Sequence, residues 1–238
     1  LILPELSVPY RWLSFMVKYS RNHQIGLIFG MEYWIAKCPK TIAYNFITAA
    51  LPIRNDDEYK TCCLSIRCKN HYSPFEKKEL NRAHHEIPDE PIKYDLFRWR
   101  GCQFSVYNCY ELADIEDRSI FKSELDFLVA CVLNRDINYF SSIVESVVKD
   151  LHCFVVQVNC SEYGDSRIVQ PTERKRMNIL RVSGGENNTI LTSKLDIKKI
   201  RNFQCLDYSE SDKEYKPTPP GFMCERVKLR GCCPKEDE

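Results

Sequence analysis

Two rhythms organise the apolar residues of this chain, a helical period near 3.6 and an extended period of 2, and the elements follow from where one gives way to the other. The opening LILPEL (1–6) reads as a buried strand already under way, with no cap before it, so the expectation is a fragment whose first strand and helix lie upstream of Leu1. In VPYRWLSFMVKYSRNH, Trp12, Phe15, Met16 and Tyr19 fall at i, i+3, i+4 and i+7, which predicts an amphipathic helix over 8–23. Three β-like runs follow, at 25–35, 41–51 and 61–69, the last two joined by the polar PIRNDDEY as a hairpin. The segment 73–94 is charged and broken by prolines; it reads as a loop with one short helix, of the length that covers active sites.

The pattern then alternates. A strand is expected at 100–110, a short helix at 118–124, a strand at 125–133, and a helix at 141–152 with Ile143, Val147, Val148 and Leu151 on one face and Ser142 and Glu145 in capping-box spacing. CFVVQVN (153–159) is a near-continuous buried strand, and RIVQP (167–171) with NTILTSKLDI (188–197) predicts a closing hairpin around a polar connection that carries the basic cluster Arg174 to Arg176. From about residue 204 the periodicity is lost and charge, Pro and Cys rise. The expectation is a domain over 1–203, an α/β sandwich with a mixed sheet, followed by an extension at 204–238.

Charge and composition narrow the function. Lys plus Arg (34) nearly balances Asp plus Glu (33) in 238 residues, so nothing marks a general affinity for nucleic acid, membrane or acidic ligands. No apolar run reaches the roughly 20 residues that span a bilayer. Thirteen cysteines are an odd count without a C-x-x-C pair, and Cys62, Cys63, Cys102, Cys131 and Cys153 lie in β-like runs, as free buried thiols of a reducing cytoplasm would. His84 and His85 lack an H-E-x-x-H context, and the vicinal Cys232 and Cys233 sit in a charged tail, so neither metal nor organic cofactor is expected.

Three β-like segments each deliver a reactive side chain where the strand ends: Glu5 after LILP, Lys69 after CCLSIRC and Cys109 after QFSVYN. In open α/β sheets ligands collect beyond the carboxyl ends of strands, so residues far apart in sequence converge there. A cysteine nucleophile, a carboxylate base and an ammonium for the oxyanion together describe acyl transfer through a thioester.

LPEL, KNHYSPFE and NCYELAD, in this order and spacing, resemble the three signature segments of the nitrilase, or carbon–nitrogen hydrolase, superfamily. The resemblance covers roughly residues 1–203 and implies an α-β-β-α sandwich with mixed β-sheets, in which the first strand and helix would be missing. It implies Glu5 as general base, Lys69 as oxyanion-stabilising lysine, Cys109 as nucleophile and Glu76 as the second glutamate supporting the lysine. It implies a small-molecule amide-type substrate without a cofactor, and dimer pairing that builds a homo-oligomer. His71, Tyr72, Tyr110, Glu111, Asn134 and Arg135 are then expected around the substrate. Asn108 and NRDINY depart from the commoner pattern of the superfamily. KNHYSPFEK and YNCYELADIEDR are also similar to nitrilase-like domains on the C-terminal side of bacterial defence-associated reverse transcriptases. That likeness implies fusion to an upstream domain, contact with nucleic acid only through that domain, and a second possible role in oligomerisation or ligand sensing.

Overall fold

The computed structural model describes all residues except 38, 56–58, 186–189, 207–213 and 231–238. Its first apolar stretch runs beside the strand that follows the first helix: Ile2 bridges Ile28 in parallel, and Leu3 N–H donates to the Ile28 carbonyl at 2.9 Å. The elements, in chain order, are α1 (Leu13–His23), β1 (Leu27–Gly30), β2 (Trp34–Lys37), β3 (Thr41–Tyr44), β4 (Phe46–Asn55), β5 (Tyr59–Cys68), α2 (Pro74–Arg82), β6 (Leu96–Trp99) and β7 (Cys102–Asn108). They continue with α3 (Ile115–Ser119), β8 (Phe127–Val132), α4 (Ile137–Asp150), β9 (Phe154–Asn159), β10 (Ser166–Val169), α5 (Arg174–Met177), β11 (Asn178–Val182), α6 (Ile197–Gln204) and α7 (Cys224–Arg230).

Two sheets face each other. One has the order β1-β4-β5, all antiparallel; the other has the order β11-β10-β9-β8-β7-β6, with β7, β8 and β9 parallel and the flanking pairs antiparallel. Between them Ile28, Ile47, Ala49 and Leu51 meet Phe104, Val106, Val129 and Cys131. Outside the larger sheet, α4 lays Phe140, Val144, Val147 and Val148 against it. Outside the smaller one, α1 packs Leu13, Met16 and Val17 on Leu27, Phe29 and Ala50. Each fully buried side chain of this kind contributes about 1.5–3 kcal/mol of transfer free energy. The layers are α-β-β-α with mixed pairing, as expected.

Several boundaries differ from the sequence expectation. Helix α1 forms, but Trp12, Phe15 and Tyr19 are 52, 60 and 39% exposed, while Leu13, Met16, Val17 and Ser20 face the sheet. The small Ser20 lets the helix sit close to β4, and its hydroxyl donates to the Ala50 carbonyl at 3.1 Å. The run 25–35 divides into β1 and β2, and the run 41–51 divides at Asn45, leaving β2 and β3 as a separate antiparallel ribbon. Helix α3 starts at Ile115 because the Asp114 side chain accepts the Asp117 N–H; α4 starts at Ile137 because Asp136 accepts the Tyr139 N–H. The Ser142 hydroxyl instead donates to the Asn138 carbonyl within α4.

The closing hairpin is built from β10 and β11, not from 188–197. One helical turn, α5, returns the chain with Met177 buried, so Asn178–Val182 pairs where the connection was expected. Among the described residues of 188–197 none is in a strand. The C-terminal residues set apart as an extension pack onto this body: Tyr215 is buried with Phe154 and Ile200, and Val227 and Arg230 are buried on α7. Arg230 donates to the Ser123 and Leu125 carbonyls and lies 3.3 Å from Asp126. Cys131 and Cys153 are fully buried free thiols, and Cys232 and Cys233 lie outside the described residues. No described helix is long and apolar enough to cross a membrane.

Candidate active site

Three chain segments meet at the C-terminal ends of β5 and β7. Glu5 arrives on the turn beside β1, where Gly30 permits the approach: a Cβ on Gly30 would lie 2.5 Å from the Glu5 Cα. Lys69 follows the last residue of β5 and stays in register, its N–H donating to the Asn45 carbonyl at 2.7 Å. Glu76 is the third residue of α2, held by a capping box with Ser73. Cys109 follows β7 and opens a 3-10 turn, Cys109–Ala113, with φ of +47°, a left-handed conformation that costs a non-glycine residue about 1–3 kcal/mol.

The Lys69 ammonium sits between two carboxylates, with Nζ 2.7 Å from Glu5 Oε1 and 2.5 Å from Glu76 Oε2. The Cys109 thiol is close enough to the Glu5 carboxylate to feel its charge, and its sulfur lies 4.0 Å from the Leu133 carbonyl. All three of Glu5, Lys69 and Cys109 are buried. Burial raises the Glu5 carboxyl above its ordinary value and Glu76 adds to this, against the opposing pull of Lys69. Burial alone would lower Lys69, but Glu5 and Glu76 outweigh it and hold the ammonium well above the usual lysine range. Burial, then the Glu5 charge, pushes the Cys109 thiol well up, with Lys69 opposing. The sulfur therefore rests as a thiol beside a carboxylate able to take its proton.

The turn carrying Cys109 is fastened from below. Glu111 is fully buried and takes a bidentate pair from Arg67 at 2.7 and 2.8 Å, together with the N–H groups of Asn70 and Asn108, both at 2.7 Å. Arg67 also donates to the Val106 and Cys68 carbonyls and lies over the Tyr94 ring. One ion pair thus ties the end of β5 to the start of the Cys109 turn, a satisfied arrangement for buried charge.

Beside the site lies a cavity of about 280 Å³ whose wall includes His71, Tyr72, Lys77, Tyr110 and Asp114. Of the residues expected around a substrate, His71, Tyr72 and Tyr110 line this cavity. His71 Nε2 is 2.6 Å from Asp117 Oδ2, which also accepts from the Tyr94 hydroxyl. The ligand-type atoms of His71, Asp114 and Asp117 lie within 4.8 Å of one another; the His71–Asp117 pair and the Asp114 cap of α3 already account for that closeness. Tyr72 accepts the Asn45 N–H at 3.0 Å, and Lys69 lies over its ring.

Three expected substrate contacts are placed differently. Glu111 is wholly engaged beneath the turn and does not reach the cavity wall. Asn134 is bound into the β8 end by Asn159 and accepts the Asp136 N–H. Arg135 is exposed and bonds the Tyr163 hydroxyl at 2.9 Å. Both follow Leu133, whose carbonyl lies 4.0 Å from the Cys109 sulfur, and neither is among the residues lining the cavity. The sequence reading missed Asn45, whose side-chain amide donates to Glu5 Oε1 at 2.8 Å and Glu76 Oε1 at 3.1 Å, and Tyr33, whose hydroxyl donates to Glu76 at 2.7 Å. It also missed Arg67. An asparagine interrupting an apolar run and an arginine inside a strand were the available signals.

No protein-family model and no curated protein matches the chain. Solved structures do. XC1258 from Xanthomonas campestris, a CN-hydrolase superfamily protein with an arsenic adduct in its active site, aligns with TM-score 0.58 at 13% identity, over 85% of this chain and 80% of that one. Nit3 of Saccharomyces cerevisiae, a member of branch 10 of the nitrilase superfamily, aligns with TM-score 0.54 at 14% identity, over 78% and 73%. A cysteine-to-alanine variant of the nitrilase-superfamily amidase of Nesterenkonia AN1 aligns with TM-score 0.52 at 16% identity, over 77% and 73%. The layer order, the mixed sheets and these alignments together give the chain the fold of nitrilase-superfamily structures.

Proposed function

We propose that this chain is a carbon–nitrogen hydrolase that cleaves a non-peptide amide bond of a small molecule through a thioester on Cys109. The observation that carries this reading is the convergence of Cys109 and Lys69, from the ends of β7 and β5, with Glu5, from the turn beside β1, into one buried cluster. As the Cys109 sulfur bonds to the substrate carbonyl carbon, its proton passes to Glu5. The Lys69 ammonium and the backbone N–H of Tyr110 receive the developing oxyanion. Glu5 then returns the proton to the leaving nitrogen, the C–N bond breaks, and the amine departs. Water, deprotonated by Glu5, attacks the thioester; the acid leaves and the sulfur regains a proton. Glu76 holds Lys69 in place, and the cavity beside His71, Lys77 and Tyr110 accepts the rest of the substrate.

Ammonia release from a panel of simple amides, with intact-mass detection of a fluoroacetamide adduct, tests this. A related amidase variant from Nesterenkonia sp. AN1 carries such an acetamide adduct on its active-site cysteine. Turnover and adduct should vanish in Cys109→Ala with the fold retained, and turnover should fall by roughly a hundredfold or more in Glu5→Gln. Undiminished turnover in Cys109→Ala would overturn the proposal. Assembly belongs to the same reading: the exposed Trp12, at the cap of α1, with Phe15 and Tyr19 on it, offers an apolar row for pairing of copies, which light scattering of Phe15→Ser against wild type would test. Placement in a reverse-transcriptase-linked defence protein rests on the resemblance carried by KNHYSPFEK and YNCYELADIEDR, and placement in the cytoplasm on the free cysteines; expression of the full polypeptide with and without Cys109 would show whether its host function needs the chemistry.

A further inference from the structure

Two buried asparagines join the nucleophile turn to the carboxylates, and their orientations are forced. Asn45, between β3 and β4, has no exposed surface and uses every polar group it has. Its carbonyl accepts the Lys69 N–H, its N–H donates to the Tyr72 hydroxyl, and its Nδ2 donates to both Glu5 and Glu76. A carboxylate oxygen only accepts, so the Asn45 amide must turn Nδ2 toward the glutamates and Oδ1 away from them. Oδ1 then requires a donor. Asn108, the residue before Cys109, supplies it through Nδ2 at 3.0 Å, which leaves its own Oδ1 buried and without a hydrogen-bond partner among the described residues. An apolar side chain at 108 would avoid that orphaned acceptor. What the amide adds is the bond to Asn45, while the Asn108 Oδ1 faces the Glu111 N–H in the capping box of the Cys109 turn.

We infer that Asn45 and Asn108 form a positioning pair that registers Cys109 against Glu5 and fixes which face of the Asn45 amide the two glutamates meet. This rests on the hydrolase reading above. It also accounts for the departure at Asn108 from the commoner superfamily pattern: the residue is matched to Asn45 across the two sheets. The charged and titratable groups facing Glu5 are Lys69 from β5, Glu76 from α2, Cys109 from its turn and Cys131 from β8, with Tyr33 behind Glu76.

The test is the rate of Cys109 alkylation by iodoacetamide against pH, resolved by mass on the full chain, which needs no knowledge of the substrate. In Asn108→Asp the new carboxylate can only accept, so Asn45 must reverse its amide and present Oδ1 to Glu5 and Glu76. Glu5 then loses a donor and gains a negative neighbour, and its proton is held more tightly. The acid-side midpoint of Cys109 alkylation should rise by about one pH unit or more, with roughly tenfold slower labelling below it. In Asn108→Leu the Asn45 amide keeps its face to the glutamates, so the midpoint should stay while the rate falls about fivefold as registration loosens. An unmoved midpoint in folded Asn108→Asp overturns the inference. Should that variant not fold, Asn108→Leu decides, and alkylation within twofold of wild type overturns it. If wild-type Cys109 reacts no faster than Cys68, the hydrolase reading falls and this pairing with it; if wild type is fast and the variants are unchanged, the pairing alone falls.

Discussion

Replacing Lys69 by methionine keeps the stem of the side chain and removes the charge between two buried carboxylates. Nζ lies 2.7 Å from Glu5 Oε1 and 2.5 Å from Glu76 Oε2, and the other links between those glutamates run through the one Nδ2 of Asn45, at 2.8 and 3.1 Å. The two Asn45-bound oxygens are thus within about 6 Å of each other, and at an effective dielectric of about 20 two negative charges so placed repel by roughly 3 kcal/mol. With the lost ion pairs, the expected loss at pH 8 is about 3–5 kcal/mol. The sign with pH follows from protonation. In the variant the folded carboxylates bind a proton above the unfolded value, so the relief it brings is fully present below the unfolded pKa and is lost as pH rises through the folded one. The deficit should be smaller at pH 5 than at pH 8. Urea unfolding of wild type and Lys69→Met at both values reads this directly, and a deficit below about 1 kcal/mol, or one equal at the two pH values, would refute the picture of a charge shared by two glutamates.

Other outcomes follow from the same contacts. Gly30→Ala places a Cβ 2.5 Å from the Glu5 Cα, so Cys109 alkylation should slow more than the melting temperature falls, measured side by side. Burial lowers the His152 imidazole, which holds the Lys216 carbonyl at 2.6 Å. Its contribution to stability is therefore present above the unfolded pKa near 6.5 and lost as pH falls through the folded value; His152→Asn should flatten the melting temperature between pH 7 and 5. Arg230→Ala strands Asp126 beside fewer donors and should cost about 2–4 kcal/mol in chemical unfolding, without moving the pH profile of Cys109 alkylation.

The ends of β5 and β7, where Lys69 and Cys109 follow, were legible because each closes an apolar run; the strand expected at 1–6 is instead a single bridge at Ile2 followed by the turn that carries Glu5, since within 1–6 no further bridge holds it extended. The buried face of α1 was not. Residues 12, 15, 16 and 19 and residues 13, 16, 17 and 20 obey the same helical spacing, rotated by one position, and only the close seat that Ser20 makes on Ala50 decides between them. Asn45 and Arg67 were hidden for another reason: their partners lie about 30 to 60 residues away, and local pattern carries no term for a hydrogen bond that exists only after two sheets have closed. β11 escaped because a single helical turn with one buried methionine makes a shorter return than polar composition had indicated. Lys77 was passed over as one charge in a run of charges, and it lines the cavity.

The clamp on Asp126 sets a schedule for the ribosome. Asp126 immediately precedes the central β8 and is reached by Arg230 across more than a hundred residues of chain, so the charge buried beneath the parallel strands waits for its last partner. At about 5–20 residues per second, roughly 5 to 20 seconds of synthesis separate the two. Strands β8 to β11 are made within that interval, and from Val182 onward the sheet that presents Cys109 is complete in sequence while α7, which closes its far end, is still to come.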